Sequence, residues 1–198
     1  MRTHAALWAF AFSIAVALGA APVRADEPPP RVVVLLVVDQ LPVRLWDRML
    51  PVLPPGGLRR LSEGGASFIG RYAHANTSTA PGHALLATGA DAGSSGIIGN
   101  NWWSRPTWKQ FYCVEDPAYT VLGRPPREHD GTSPLTLRAT GVADALRTST
   151  LGRASILSLS WKDRGAILLG GFRPTAAVWF DAVMGGFTTS TYYARELP

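Results

Sequence analysis

Residues 31–38 (RVVVLLVV) carry seven consecutive aliphatic positions with no period-two alternation. The run is too short for a typical helix and predicts a strand buried on both faces, central in a parallel sheet. Asp39 ends it abruptly. Because ligands of open α/β sheets gather outside the carboxyl ends of strands, Asp39 is a site candidate as well as a candidate cap for the next helix. Residues 57–63 predict a helix stopped by Gly64 and Gly65, residues 66–72 a strand, and the stretch after Thr79 a second helix closed by Gly89. Residues 93–99 read as a glycine- and serine-rich turn, and the aromatic, proline-rich residues 102–134 as an irregular insertion or lid over a site. Farther on, residues 140–148 predict an amphipathic helix with Val142, Ala143 and Leu146 inward. A buried strand at 153–159, a short helix at 165–169 and a strand at 176–180 follow. Elements alternating in this way predict an α/β fold, a mostly parallel central sheet flanked by helices.

Candidate chemistry concentrates where these elements meet. Residues 75–83 (ANTSTAPGH) place the Thr79 hydroxyl at a loop-to-helix junction, since Pro81 is tolerated only in a helix's first turn. The dipole and free amides of a helix start attract an anion, so Thr79 is either a capping residue or a nucleophile for phosphate chemistry. Lys162 and Arg164 follow the strand predicted at 153–159, two cations one residue apart that can clamp phosphoryl oxygens or pair with Asp163 at the surface. Asn100, after a glycine, is a turn residue or an amide donor to the same oxygens. His83, four positions past Thr79, tucks under the preceding loop on this reading. His74 and His129 have no partner at metal-ligand spacing, and a P-loop, a G-x-S-x-G elbow and an H-E-x-x-H pair are all absent.

Composition narrows the setting. Arg2 and His4 precede an apolar stretch, and small residues surround Ala25, the pattern of a signal peptide at 1–25. Residues 26–30 read as a proline-rich linker, and residues 31–198 as the start of the folded domain that carries the candidate site. No later segment is apolar for long enough to span a bilayer. The mature chain is therefore expected to be exported, periplasmic or secreted, with no membrane attachment after cleavage. A net charge of +5 arises from scattered arginines, without a dense basic run, which argues against a nucleic-acid partner. The single cysteine, Cys113, is either a buried free thiol or lacks its partner.

Six motifs in order resemble one family. They are V-V-D-Q at Asp39, T-x-T-A-P-G-H ending at His83, G-I-I-G-N ending at Asn100, Y-C-V-E-D from Tyr112, K-D-R-G-A-I from Lys162 and W-F-D ending at Asp181. Together they are similar to the secreted, threonine-nucleophile alkaline phosphatases, relatives of the nucleotide pyrophosphatases/phosphodiesterases. The resemblance implies that small-molecule phosphate monoesters are hydrolysed through a phosphothreonine intermediate at a two-zinc site. Thr79 would be nucleophile and metal contact, Asp39 a zinc ligand, and Asn100, Lys162 and Arg164 the groups on the phosphoryl oxygens. The Lys/Arg pair favours monoesters. A phosphodiesterase of the same superfamily and a non-catalytic, exported phosphate-binding module are the alternatives. Most zinc ligands of that family come from downstream of the K-D-R motif, so the chain is expected to be an N-terminal fragment with a fold incomplete at its C-terminus.

Overall fold

The computed structural model describes residues 31–72 and 74–197, so the expected leader at 1–25 and the linker at 26–30 lie outside the described residues. The chain divides into two units between Val43 and Arg44. In the first, residues 31–38 form no strand, and Val32, Val33, Val34 and Leu36 are 63–81% exposed. This corrects the expected central strand. β-propensity largely measures how well a residue packs on a sheet, and no described strand pairs with this run. Residues 66–72 depart in the same way, with Phe68 and Ile69 almost fully exposed.

Helix α1 (Val43–Met49), a 3-10 turn (Leu50–Val52) and α2 (Gly57–Gly64) bury no residue. Packing begins with α3 (Thr79–Thr88), which buries Ala80, Pro81, His83, Ala84 and Ala87. Pro81 sits in its first turn, where a missing N–H costs nothing, and Gly89 ends it at φ +69°, its amide on Leu85 O at 2.7 Å. The expected turn at 93–99 contains a four-residue helix, α4 (Ala92–Ser95), capped by Asp91, whose carboxylate accepts from Ser94 N at 2.8 Å.

Strands β1 (Asn101–Ser104) and β2 (Lys109–Tyr112) form an antiparallel hairpin with Asn101 opposite Tyr112, so the insertion at 102–134 has a regular base. Helix α5 (Val142–Ser149) follows, then β3 (Leu157–Ser160), α6 (Asp163–Gly170), β4 (Ala176–Asp181) and β5 (Gly186–Thr188). Strands β3 and β4 pair in parallel across α6, and β5 adds antiparallel to β4, giving the order β3-β4-β5. The expected α/β class holds, and β3–α6–β4 is its parallel crossover unit.

Two expectations about burial reverse. In α5 the buried residue is Asp144, whereas Val142 and Leu146 are 54% and 40% exposed. Asp144 turns inward because its Oδ1 accepts the amides of Phe172 and Arg173 at 3.0 and 3.2 Å, capping the loop that follows α6. In β3 Ser158 faces inward, its hydroxyl donating to Ala166 O at 2.7 Å, and Leu157 and Leu159 face outward. The core lies where α3 and α6 meet the segment after β2. It joins Ala80, Ala84, Ile97, Cys113, Val114, Ala166, Ile167, Leu168 and Trp179.

Candidate active site

The nucleophile candidate is placed by hydrogen bonds from two loops. Thr79 is the first residue of α3, and the cap position belongs to Ser78, whose side chain makes no capping bond. Asn100 performs that task from twenty residues away: its Oδ1 accepts the Ala80 amide at 2.8 Å. Asn76 links the same two loops, accepting from Ser78 N at 3.1 Å and donating to Ile98 O at 2.8 Å. One helix-start amide is thus satisfied by the Asn100 oxygen, and Nδ2 is the donor end of the same side chain. His83 is buried with Nδ1 at 2.8 Å from Thr79 O, the tucked arrangement expected of it.

Lys162 and Arg164 stand at the start of α6, Lys162 as its N-cap residue and Arg164 as its second member. The Lys162 amide donates to Ser160 Oγ at 3.2 Å. Helices α3 and α6 pack on each other. The contact is close at their first turns, because a Cβ on Gly165 would lie 3.6 Å from His83 Nε2. The threonine and the cation pair therefore occupy neighbouring helix starts. A cavity of about 250 Å³ adjoins Lys162, bounded by Arg124, Asp130, Trp161 and Asp181. A larger one of about 1100 Å³ is walled by Trp103, Trp108, Phe111 and Tyr119, so these aromatics of the insertion line space, whereas Trp102 packs on the core.

Arg164 is held by Tyr112, to which the sequence reading gave no role, and through it by Asp163, read there only as a surface ion-pair partner. Its Nη1 donates to the Tyr112 hydroxyl at 2.9 Å, and that hydroxyl donates to Asp163 Oδ1. Burial, then the Asp163 charge, push the Tyr112 phenol well above its usual range, so it stays protonated. Burial opposes the Arg164 charge, but Tyr112 and Asp163 outweigh it and keep the guanidinium ionised. Tyr112 belongs to the Y-C-V-E-D motif and Asp163 to K-D-R, and that membership is the signal that could have found them. Cys113 is a buried free thiol pushed up to about 12 by burial and then by Asp163, which leaves it inert at neutral pH.

Asp39 belongs to the first unit and the other four candidates to the second. Among the described residues no group of three or more His, Cys, Asp or Glu side chains converges as a metal site requires. Asp39 and Thr79 supply two oxygen donors, short of the three or four protein ligands zinc takes. The described residues do not fit a zinc site.

Residues 33–196 match the family model described as type I phosphodiesterase / nucleotide pyrophosphatase. The chain belongs to that family, and through it to the alkaline phosphatase superfamily of phosphoester hydrolases. It is 39% identical to alkaline phosphatase PhoV of Synechococcus elongatus over 85% of this chain and 31% of that protein. The crystal structure of wild-type alkaline phosphatase PafA superposes with a TM-score of 0.73 at 36% identity, covering 76% of this chain and 29% of PafA. A PafA variant named T79S, N100A, K162A, R164A matches at TM-score 0.61 and 35% identity, over 64% of this chain and 25% of its own. The chain spans about a third of the length of the relatives it matches.

Proposed function

We propose that the protein containing this chain hydrolyses small-molecule phosphate monoesters, with Thr79 as nucleophile and Asn100, Lys162 and Arg164 on the non-bridging oxygens. The observation that carries the reading is the 2.8 Å bond from the Ala80 amide to Asn100 Oδ1, which fastens an amide donor beside the residue that follows Thr79. In the first step Thr79 Oγ1 forms a bond to phosphorus as the ester P–O bond breaks, and the alcohol leaves. Water then cleaves the phosphothreonine and releases phosphate. The dianionic monoester places its charge on oxygens that two cations and an amide can hold, which is where positioning and charge stabilisation act in phosphoryl transfer. The four changes that name the PafA variant fall on the residue types and numbers this chain has at Thr79, Asn100, Lys162 and Arg164, which supports the assignment.

Two zinc ions, with Asp39 and Thr79 among their contacts, belong to the family resemblance. No described ligand set accommodates them, so no step is routed through metal. Export to the periplasm or medium follows from the leader pattern of residues 1–25. A phosphodiesterase reading has the family model's description in its favour. The Lys162 and Arg164 charges, matched to a dianion, favour the monoester. The test compares hydrolysis of mono- and bis-(p-nitrophenyl) phosphate by the protein carrying this chain. Thr79→Ala is expected to lower monoester turnover by at least about a thousandfold, as nucleophile removals do. Arg164→Ala should lower monoester kcat/KM about a hundredfold, ~2.7 kcal/mol of transition-state stabilisation, and diester kcat/KM much less. Unchanged turnover in Thr79→Ala would end the reading.

A further inference from the structure

The Tyr112 hydroxyl bonds two consecutive residues of α6 at once. It donates to Asp163 Oδ1 at 2.5 Å and accepts from Arg164 Nη1 at 2.9 Å, with the guanidinium carbon 5.9 Å from the tyrosine ring centre. A phenol has one hydrogen, and here Asp163 takes it, so the side facing Arg164 can only be a lone pair. Asp163 is itself fixed: Oδ2 accepts from Gly131 N at 3.1 Å and Oδ1 from Arg164 N at 2.7 Å. A Cβ at position 131 would lie 2.2 Å from Asp163 Oδ2, so only glycine lets the loop come this close. Tyr112 ends β2 and Gly131 lies near the far end of the insertion, and both reach the first turn of α6. Arg164 Nη1 thereby commits one of its two N–H groups, and its Nε is enclosed with no partner among the described residues. The other N–H of Nη1 and those of Nη2 are the donors that can meet an incoming oxygen.

We propose that Tyr112 is the positioning residue of the phosphate clamp: its hydroxyl, polarised by Asp163, locks the Arg164 guanidinium before substrate arrives and holds its remaining Nη donors for a phosphoryl oxygen. The inference rests on the assignment of Arg164 to those oxygens. Preorganised donors contribute because they need no reorganisation during the reaction, and a guanidinium free to rotate loses that advantage. Tyr112→Phe keeps the ring and its packing and deletes both hydrogen bonds.

The experiment is a double-mutant cycle on the protein carrying this chain, reading kcat/KM for p-nitrophenyl phosphate and the inhibition constant of inorganic phosphate. Tyr112→Phe is expected to lower kcat/KM about tenfold and to weaken phosphate inhibition, whereas in an Arg164→Ala background it should change neither, since coupled residues are not additive. An unaltered Tyr112→Phe beside a strongly impaired Arg164→Ala overturns the inference and leaves the clamp reading standing. The same tenfold loss in both backgrounds also overturns it, because the hydroxyl would then act without Arg164. If Arg164→Ala is itself inert while turnover still depends on Thr79, the clamp reading fails and this inference with it. Should Tyr112→Phe not fold, Asp163→Asn takes its place in the cycle. It removes the charge that orients the phenol, and its loss must likewise vanish without Arg164.

Discussion

Asn100 uses the two ends of one amide for different purposes, and substitution can separate them. Its oxygen accepts the Ala80 amide at 2.8 Å, capping the nucleophile's helix, while the nitrogen is the end available to a phosphoryl oxygen. Asn100→Asp keeps an acceptor for Ala80 and replaces the donor by a second, negatively charged oxygen. The expected outcome is near-native thermal stability with monoester turnover reduced at least about a hundredfold, the size of effect seen when one transition-state donor is lost. Asn100→Ala should lose a comparable amount of turnover and also about 1 kcal/mol of stability, the usual value of a helix cap, as read by urea denaturation. Stability loss equal in both variants would refute the capping role. Thr79 could be singled out in the sequence because proline and hydroxyl punctuation marks a helix start, whereas Lys162 and Arg164 were singled out as charges at a strand end and Asn100 as a residue after a glycine turn. Their supporting bonds were not legible there. A cap supplied from twenty residues away and a tyrosine reaching from β2 to α6 leave no local spacing to read.

At the scale of elements, the approach of α6 to its neighbours depends on a missing side chain. A Cβ on Gly165 would lie 2.3 Å from Ser160 Oγ and 3.1 Å from Ser160 Cβ. Gly165→Ala must therefore either turn Ser160 Oγ away from the Lys162 amide or shift the first turn of α6, with Arg164, away from β3. Overpacking of this kind costs about 1–3 kcal/mol, more than the ~1 kcal/mol that alanine gains over glycine in a helix. Net destabilisation in urea melts is expected, and Ser160→Ala in the same chain should recover part of it by removing the nearer clash. No recovery would show that the strain lies elsewhere. Helices α2, α3 and α6 and strand β4 could be read from apolar spacing closed by glycine. The interior face of α5 could not, because its buried group is Asp144, chosen by the amides of Phe172 and Arg173. Hydrophobic periodicity predicts which face a core of side chains would select, and here a loop's unsatisfied donors made the selection.

For the molecule as a whole, aliphatic composition did not translate into burial. Residues 31–38 leave large apolar side chains exposed in the first unit, and Leu157 and Leu159 of β3 do so in the second, whose integrity leans on its polar interior as well as on its core. The main polar element is Arg124, which bonds Asp181 at 2.6 Å and Asp130 at 2.9 Å, each side chain no more than 14% exposed. It fastens the insertion to the end of β4. Burial works to raise the Asp181 carboxyl, but the Arg124 bond and the amides of Met184 and Val183 together hold it below the usual carboxylate range. A carboxylate depressed on folding contributes stability that is present above its unfolded pKa, about 3.9, and is lost as pH falls through the lower folded value. Asp181→Asn should therefore be less stable than the parent at pH 7, and the gap should narrow steadily below about pH 4. Arg124→Met, which leaves Asp181 and Asp130 without their guanidinium, should cost about 3–5 kcal/mol at pH 7 and lose part of that penalty in acid, where Asp181 protonates. Urea melts of the three proteins from pH 3 to pH 7 decide it, and a stability gap independent of pH would show that the triad's charges do not hold the insertion to the sheet.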